Sequence, residues 1–170
     1  MSNKYDPKED GHTHLNVYSR GASRLGRALS NFSKLSFDHP LHGWFSSVEG
    51  YWYYVSTGFL HDELRDVSGI QAKQLGRSYP RVMIDEATFQ HHIRVALDAR
   101  FAAHPWLRVE LAQSTLPLVH YYYWGNVDNP KVVSPSGRWI MEHLEYCRVR
   151  LRENMTDKER YMLSTVRYNR

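Results

Sequence analysis

A single cysteine, Cys147, stands in the 170 residues, so no disulfide can close within the chain and no cysteine-rich metal cluster can form. This economy fits a reducing compartment, and a cytoplasmic location is the expectation. No apolar run approaches the length of about 18 residues that marks a membrane span. The opening MSNKYDPKEDGHTH also lacks the apolar centre of an export signal. No membrane association is expected. There is no GxSxG elbow, no phosphate-binding GxxxxGK[ST] or GxGxxG loop, and no HExxH pair, which removes the common routes to serine hydrolysis, nucleotide cradling and zinc proteolysis. An excess of one charge is nearly missing too. With 22 basic and 18 acidic residues the net charge is only +4, a mild preference for an anionic partner such as a nucleotide or nucleic acid.

What remains is 42% hydrophobic and 24% charged, the composition of one folded domain at this length. Residues 1–13 are polar and read as a flexible leader, leaving 14–170 as the domain. His14 to Tyr18 (HLNVY) alternates with the period of a short strand. Arg20 to Arg27 (RGASRLGR) pairs two glycines with three arginines, the composition of a loop that approaches an anion. Val48, Tyr51, Trp52 and Val55 form one face of a helix over 46–57. A shorter helix over 70–77 closes at Gly76, and Asp85 caps a longer one carrying Phe89, Ile93, Ala96, Leu97 and Phe101. Trp106 to Ala112 continues as helix. A turn near Asn129-Pro130 precedes a helix marked by Trp139, Ile140, Leu144, Cys147 and Leu151, and Thr156 to Glu159 has capping-box spacing for a last one. Few short strands among about five helices, without βαβ alternation, give an α+β class: one compact, helix-rich domain with a small sheet.

Among chemistry-bearing residues, the ten histidines do not resolve into a metal motif. His91 and His92 are adjacent and point to different sides of a helix, and His12 and His14 lie near the leader. No metal and no cofactor are expected. Cys147 falls on an apolar stripe and reads as core. Glu49 has two readings. In Ser46-Ser47-Val48-Glu49 it completes an S-x-x-E capping box and folds back onto the backbone. Alternatively it lines a pocket walled by aromatics, where a carboxylate orients water or stabilises an oxocarbenium-like sugar.

Leu29-Ser30-Asn31-Phe32, Ser47-Val48-Glu49-Gly50-Tyr51-Trp52, Ala72-Lys73-Gln74-Leu75-Gly76-Arg77, Ala96-Leu97-Asp98-Ala99-Arg100-Phe101, Trp124-Gly125 and Trp139-Ile140 follow one another in an order that resembles the NADAR family. These YbiA-like proteins are N-glycosidases associated with NAD and ADP-ribose metabolism. The resemblance runs from about Val17 to Leu151. It implies a YbiA-like α+β fold and hydrolysis of a base–ribose N-glycosidic bond, with substrates of the kind of phosphorylated riboflavin-pathway intermediates or ADP-ribosylated guanine. Glu49 becomes the catalytic carboxylate. Asn31, Phe32 and Trp52 fall to the pocket, Lys73 and Arg77 to phosphate or pocket architecture, and Trp124 with Gly125 to a wall near sugar or base. The chain departs from the family pattern where Leu118-Val119-His120 precedes three tyrosines: His120 stands in place of a glutamate, Gly50 in place of a histidine and Trp52 in place of a tyrosine.

His120 is accordingly either a substitute acid or base or a hydrogen-bonded core residue. Lys73 and Arg77, four apart, form either a solvated cationic face or a phosphate grip. Arg20, Arg24 and Arg27 are a surface loop by default and an anion-binding rim if that loop folds against the Glu49 helix. Trp124 is core or a stacking platform beside partly open tyrosines. Three functions follow: a cofactor-free N-glycosidase, a module that binds a nucleotide or ADP-ribose-type small molecule, free or on ADP-ribosylated nucleic acid, without cleaving it, and a basic nucleic-acid-binding protein.

Overall fold

The computed structural model describes residues 5–126, 128–135 and 137–166, so the ends of the expected leader and domain, residues 1–4 and 167–170, lie outside the described residues. The described residues form seven α-helices and six short strands, in the order β1 (Leu15–Asn16), α1 (Arg24–Leu29), β2 (Phe37–His39), β3 (Gly43–Phe45), α2 (Val48–Ser56), α3 (Gly69–Ser78), α4 (Glu86–Ala103), α5 (Pro105–Gln113), β4 (Leu118–Val119), β5 (Tyr122–Asn126), β6 (Asn129–Val133), α6 (Trp139–Glu153) and α7 (Asp157–Val166). The strands pair as separate two-stranded ribbons: β1 with β4 in parallel, β2 with β3 and β5 with β6 antiparallel. The α+β class holds, with three ribbons where one small sheet was expected.

The helix signals in the sequence are realised with their physics visible. Asp85 caps α4 by accepting the Thr88 amide at 2.9 Å. The Ile93, Ala96, Leu97 and Phe101 stripe is buried. At α7 the capping box closes in both directions: the Thr156 amide donates to Glu159, and the Glu159 amide to Thr156 Oγ1.

Other expectations are corrected. Residues 5–13 are tied down rather than free. The buried Asp10 carboxylate accepts the amides of Asn16 at 2.9 Å and Ala22 at 2.7 Å, and Tyr5 stacks on Tyr121. The arginine-rich segment is not a loop throughout, since Ser23 caps α1 from residue 24 by accepting the Gly26 amide. Asn129-Pro130 lies in β6, so the turn comes just before it, at Asp128.

The apolar side chains form two clusters. One gathers Phe37, Phe45, Val48, Tyr51, Ile93 and Leu97 around α2 and α4, and the other Leu15, Leu29, Phe101, Leu107, Leu118 and Leu144 around β1, β4 and α5. Ile140 on α6 packs against both. Gly76 does not end α3, which runs on to Ser78. It lets α3 lie directly on α2, for a Cβ there would sit 2.0 Å from Tyr53 Cγ. Gly50 has a similar cause: a Cβ would meet the Leu64 carbonyl at 2.3 Å, so the histidine expected from the family pattern has no room.

Gly76→Ala should therefore destabilise the protein by about 1–3 kcal/mol in denaturant unfolding through overpacking, although alanine is the better helix former by about 1 kcal/mol. An unchanged or raised midpoint would mean that α3 is not seated on Tyr53.

Candidate functional site

Between the two apolar clusters lies a cavity of about 120 Å³, space for roughly eight to ten waters. That accommodates a sugar-sized group and not a whole dinucleotide. Its floor and walls come from segments far apart in sequence: Val17 to Ser19 after β1, Ser30 to Phe32 after α1, Glu49 on α2, Lys73 on α3, His120 and Tyr122 around β4 and β5, and Ile140 with Met141 on α6.

Glu49 reaches this cavity because its helix is capped by a different residue from the one the spacing indicates. Ser47 Oγ accepts the Gly50 amide at 3.0 Å, which makes Ser47 the N-cap. The amide of Ser46 donates to the Arg65 carbonyl at 2.7 Å and that of Glu49 to the Asn31 carbonyl at 2.9 Å. The Ser46 amide that a capping-box glutamate would reach back to is thus already taken, and the half-buried side chain lines the cavity instead. Burial pushes the Glu49 carboxyl up to about 7, against the pull of Lys73 and Arg77, which favour its ionised form.

His120 faces the same space. Its Nδ1 lies 2.8 Å from the Val17 carbonyl, which can only accept, so Nδ1 carries the proton and Nε2 keeps its lone pair in the neutral ring. Burial lowers its pKa, partly opposed by the Val17 bond. Tyr122 shares a wall with Tyr18, ring centroids 5.3 Å apart and edge to face. Burial, then the nearby Glu49 charge, raises the Tyr122 phenol, which stays a hydrogen-bond donor at neutral pH.

Of the sequence-designated residues, Glu49, Asn31, Phe32, Lys73 and His120 converge on the cavity. Lys73 Nζ also sits 5.7 Å from the centre of the Phe32 ring. Arg77, exposed one turn further along α3, is close enough to act on Glu49 but does not line the cavity. The others are placed elsewhere. Trp52 does not line the cavity: it stacks on Trp139 at 6.0 Å and meets Phe89 edge-on at 4.7 Å. Trp124 is half-exposed on β5, two residues beyond Tyr122, and Gly125 takes a positive φ of 96° beside it, so neither closes the cavity. The side chain of Arg20 is exposed, while its carbonyl accepts the Tyr123 hydroxyl. Arg24 pairs with Glu110 at 2.7 Å, and Arg27 donates to the carbonyls of Gly21 and Ala22. With Lys34 and Trp106 these two arginines line a shallow groove that shares Ser19 and Phe32 with the cavity.

The sequence reading missed Tyr18, Ser19 and Met141 as cavity residues. Nothing in their spacing marks them, because β1–β4 pairing and α6 packing bring them in. Two groups of potential metal ligands also assemble among the described residues: His39, His42 and His92, and Asp98, His143 and Cys147. The first surrounds the buried Tyr51 hydroxyl, with ring nitrogens at 2.9, 2.9 and 3.3 Å. Burial, then the neighbouring imidazoles, brings His39 down to about 4. No helix among the described residues is long and apolar enough to cross a membrane.

The NMR structure of the E. coli protein YbiA is similar to this chain with a TM-score of 0.56 and 24% identity, covering 93% of this chain and 89% of that one. The chain has a YbiA-like fold. No family model matches the chain and no curated protein matches it.

Because Glu49 is raised from 4.5 to about 7 on folding, its contribution to stability is full below pH 4.5 and is lost as the pH rises through 7. Glu49→Gln should consequently be more stable than the parent above pH 7, with the advantage fading as the pH falls and gone below 4.5. Urea midpoints across pH 4 to 9 measure this, and a constant difference would show a carboxylate that is not desolvated.

Proposed function

We propose that the protein is an N-glycosidase of the NADAR type, which hydrolyses the bond between a base and a ribose in a phosphorylated nucleotide or ADP-ribose-linked substrate, ADP-ribosylated guanine among the candidates. The observation that carries this reading is Glu49: a partly desolvated carboxylate, free of its capping duty, in a sugar-sized cavity with a cation and aromatic rings around it. The YbiA-like fold and the order of family-like motifs from Val17 to Leu151 support it.

Breaking the C1′–N bond sends its electron pair to the base and leaves positive charge on the sugar. Ionised Glu49 stabilises that cation, and in a half-buried site the attraction is stronger than in water. His120 Nε2 accepts a proton as water adds to C1′. The Tyr122 hydroxyl donates a hydrogen bond to the departing base. Lys73 holds a phosphate at the mouth and keeps Glu49 ionised over more of the pH range. Arg24, Arg27 and Lys34 line the neighbouring groove, where the remainder of an anionic substrate lies outside a cavity too small to hold it. Trp124, outward of Tyr122 on the same ribbon, offers a face for a base to stack on.

A second reading rests on the acids: Glu49 is the one carboxylate among the cavity-lining residues described. The protein would then bind an ADP-ribose-type ligand without cleaving it, and calorimetric binding with no released base distinguishes this case.

Incubating the protein with ADP-ribosylated guanine in DNA, NAD, ADP-ribose and riboflavin-pathway ribosides should release base from at least one of them. Glu49→Gln should lower turnover by about 10²–10⁴-fold. Activity needs ionised Glu49, so kcat/KM should fall as the pH drops through 7, and Lys73→Met should move that inflection upward. Full activity in Glu49→Gln rejects the mechanism, and no turnover of any substrate rejects the function.

A further inference from the structure

Outside the cavity, α6 presents His143 and Cys147 four residues apart on one face, and α4 presents Asp98 opposite them. His143 Nε2 lies 2.9 Å from Asp98 Oδ1, Cys147 Sγ 3.4 Å from the same oxygen, and Sγ 3.5 Å from Nε2. A tetrahedral zinc ion with bonds of about 2.0–2.3 Å holds such donors about 3.3–3.6 Å apart. Two of the three edges already have that length, and the third needs to open by a few tenths of an ångström. We propose that Asp98, His143 and Cys147 bind a zinc ion that clips α4 to α6, with a water as fourth ligand.

The surroundings fit an ion as well as the distances do. The His143 side chain is 8% exposed and that of Asp98 59%, so two donors hold the ion from the protein side and the third faces the solvent from which ion and water arrive. Without metal the thiol donates to Asp98. On binding, the S–H proton leaves to solvent, the His143 proton that the Asp98 carboxylate holds on Nε2 moves to Nδ1 and frees a lone pair for the ion, and the thiolate and carboxylate together balance its charge. Burial, then the Asp98 carboxylate, holds the Cys147 thiol well above its ordinary range, with the buried Arg100 guanidinium opposing them in part, so the thiol keeps its proton until an ion displaces it.

The histidine group is a weaker host. The Leu41 amide donates to His39 Nδ1 at 3.2 Å, which leaves the proton of the neutral ring on Nε2, the atom facing Tyr51. That group is arranged around a hydroxyl, and His39 has no lone pair to offer a metal there.

The clip would hold the start of α6, where Ile140 and Met141 wall the cavity, against α4. Metal analysis of the tag-free full chain after dialysis should find one zinc per molecule, and its removal by a chelator should lower Tm by about 5 °C or more. Cobalt in its place should show a thiolate-to-metal charge-transfer band and tetrahedral visible bands. Cys147→Ser should lose the band and the bound zinc. Asp98→Asn, changed at a mostly exposed side chain, should weaken zinc retention with the fold intact, whereas His92→Ala should retain it. No stoichiometric zinc, no thiolate band, or zinc retained undiminished in both Cys147→Ser and Asp98→Asn overturns the proposal.

Discussion

The guanidinium of Arg100 is the constraint on which the site depends. It is completely buried in the last turn of α4 and donates to the carbonyls of Leu29 at 3.0 Å and Ser30 at 3.1 Å. Burial lowers its pKa to about 10, so it remains charged at neutral pH. A buried cation is tolerated only when its donors are satisfied, and here the orphan carbonyls at the end of α1 satisfy two of them. Ser30 leads into Asn31, whose carbonyl accepts the Glu49 amide. One buried charge thus fixes the end of α1, that end fixes the first turn of α2, and the first turn of α2 aims the carboxylate.

The electrostatics of the cavity rest on opposed influences on Glu49. Desolvation raises it, while Lys73 and Arg77 draw it back. Gly76, between those two cations on α3, permits the close seating on Tyr53 that brings them near. A packing glycine therefore has an electrostatic result: without it α3 would stand off α2 and the carboxylate would lose its cations.

The sequence made legible whatever is local. The stripes of α2 and α4, the Asp85 cap and the Thr156 box all follow from the period of the helix and the chemistry of its ends. Glu49, Lys73, Asn31 and Phe32 were reachable because they sit within motifs. Periodicity says that the Trp52 face is buried and not against what; here it packs on Trp139 and Phe89, outside the cavity lining. The Ser46 box misled for a related reason. Ser46 and Ser47 both fit as caps, and the choice is made by the Arg65 carbonyl, from a segment that spacing does not see. The grouping of Asp98, His143 and Cys147 was likewise hidden, since it exists only where two helices cross.

The parallel pairing of Leu15 with Leu118 and Asn16 with Val119 joins positions about a hundred residues apart. Such a closure costs loop entropy that only the contacts it makes can offset. Val17, Tyr18 and Ser19 follow one of these strands, and His120 and Tyr122 the other. During synthesis the ribosome has to deliver most of the chain before the first wall of the cavity can find its second, so a nascent or truncated product can hold the helical body without any hollow for a ligand.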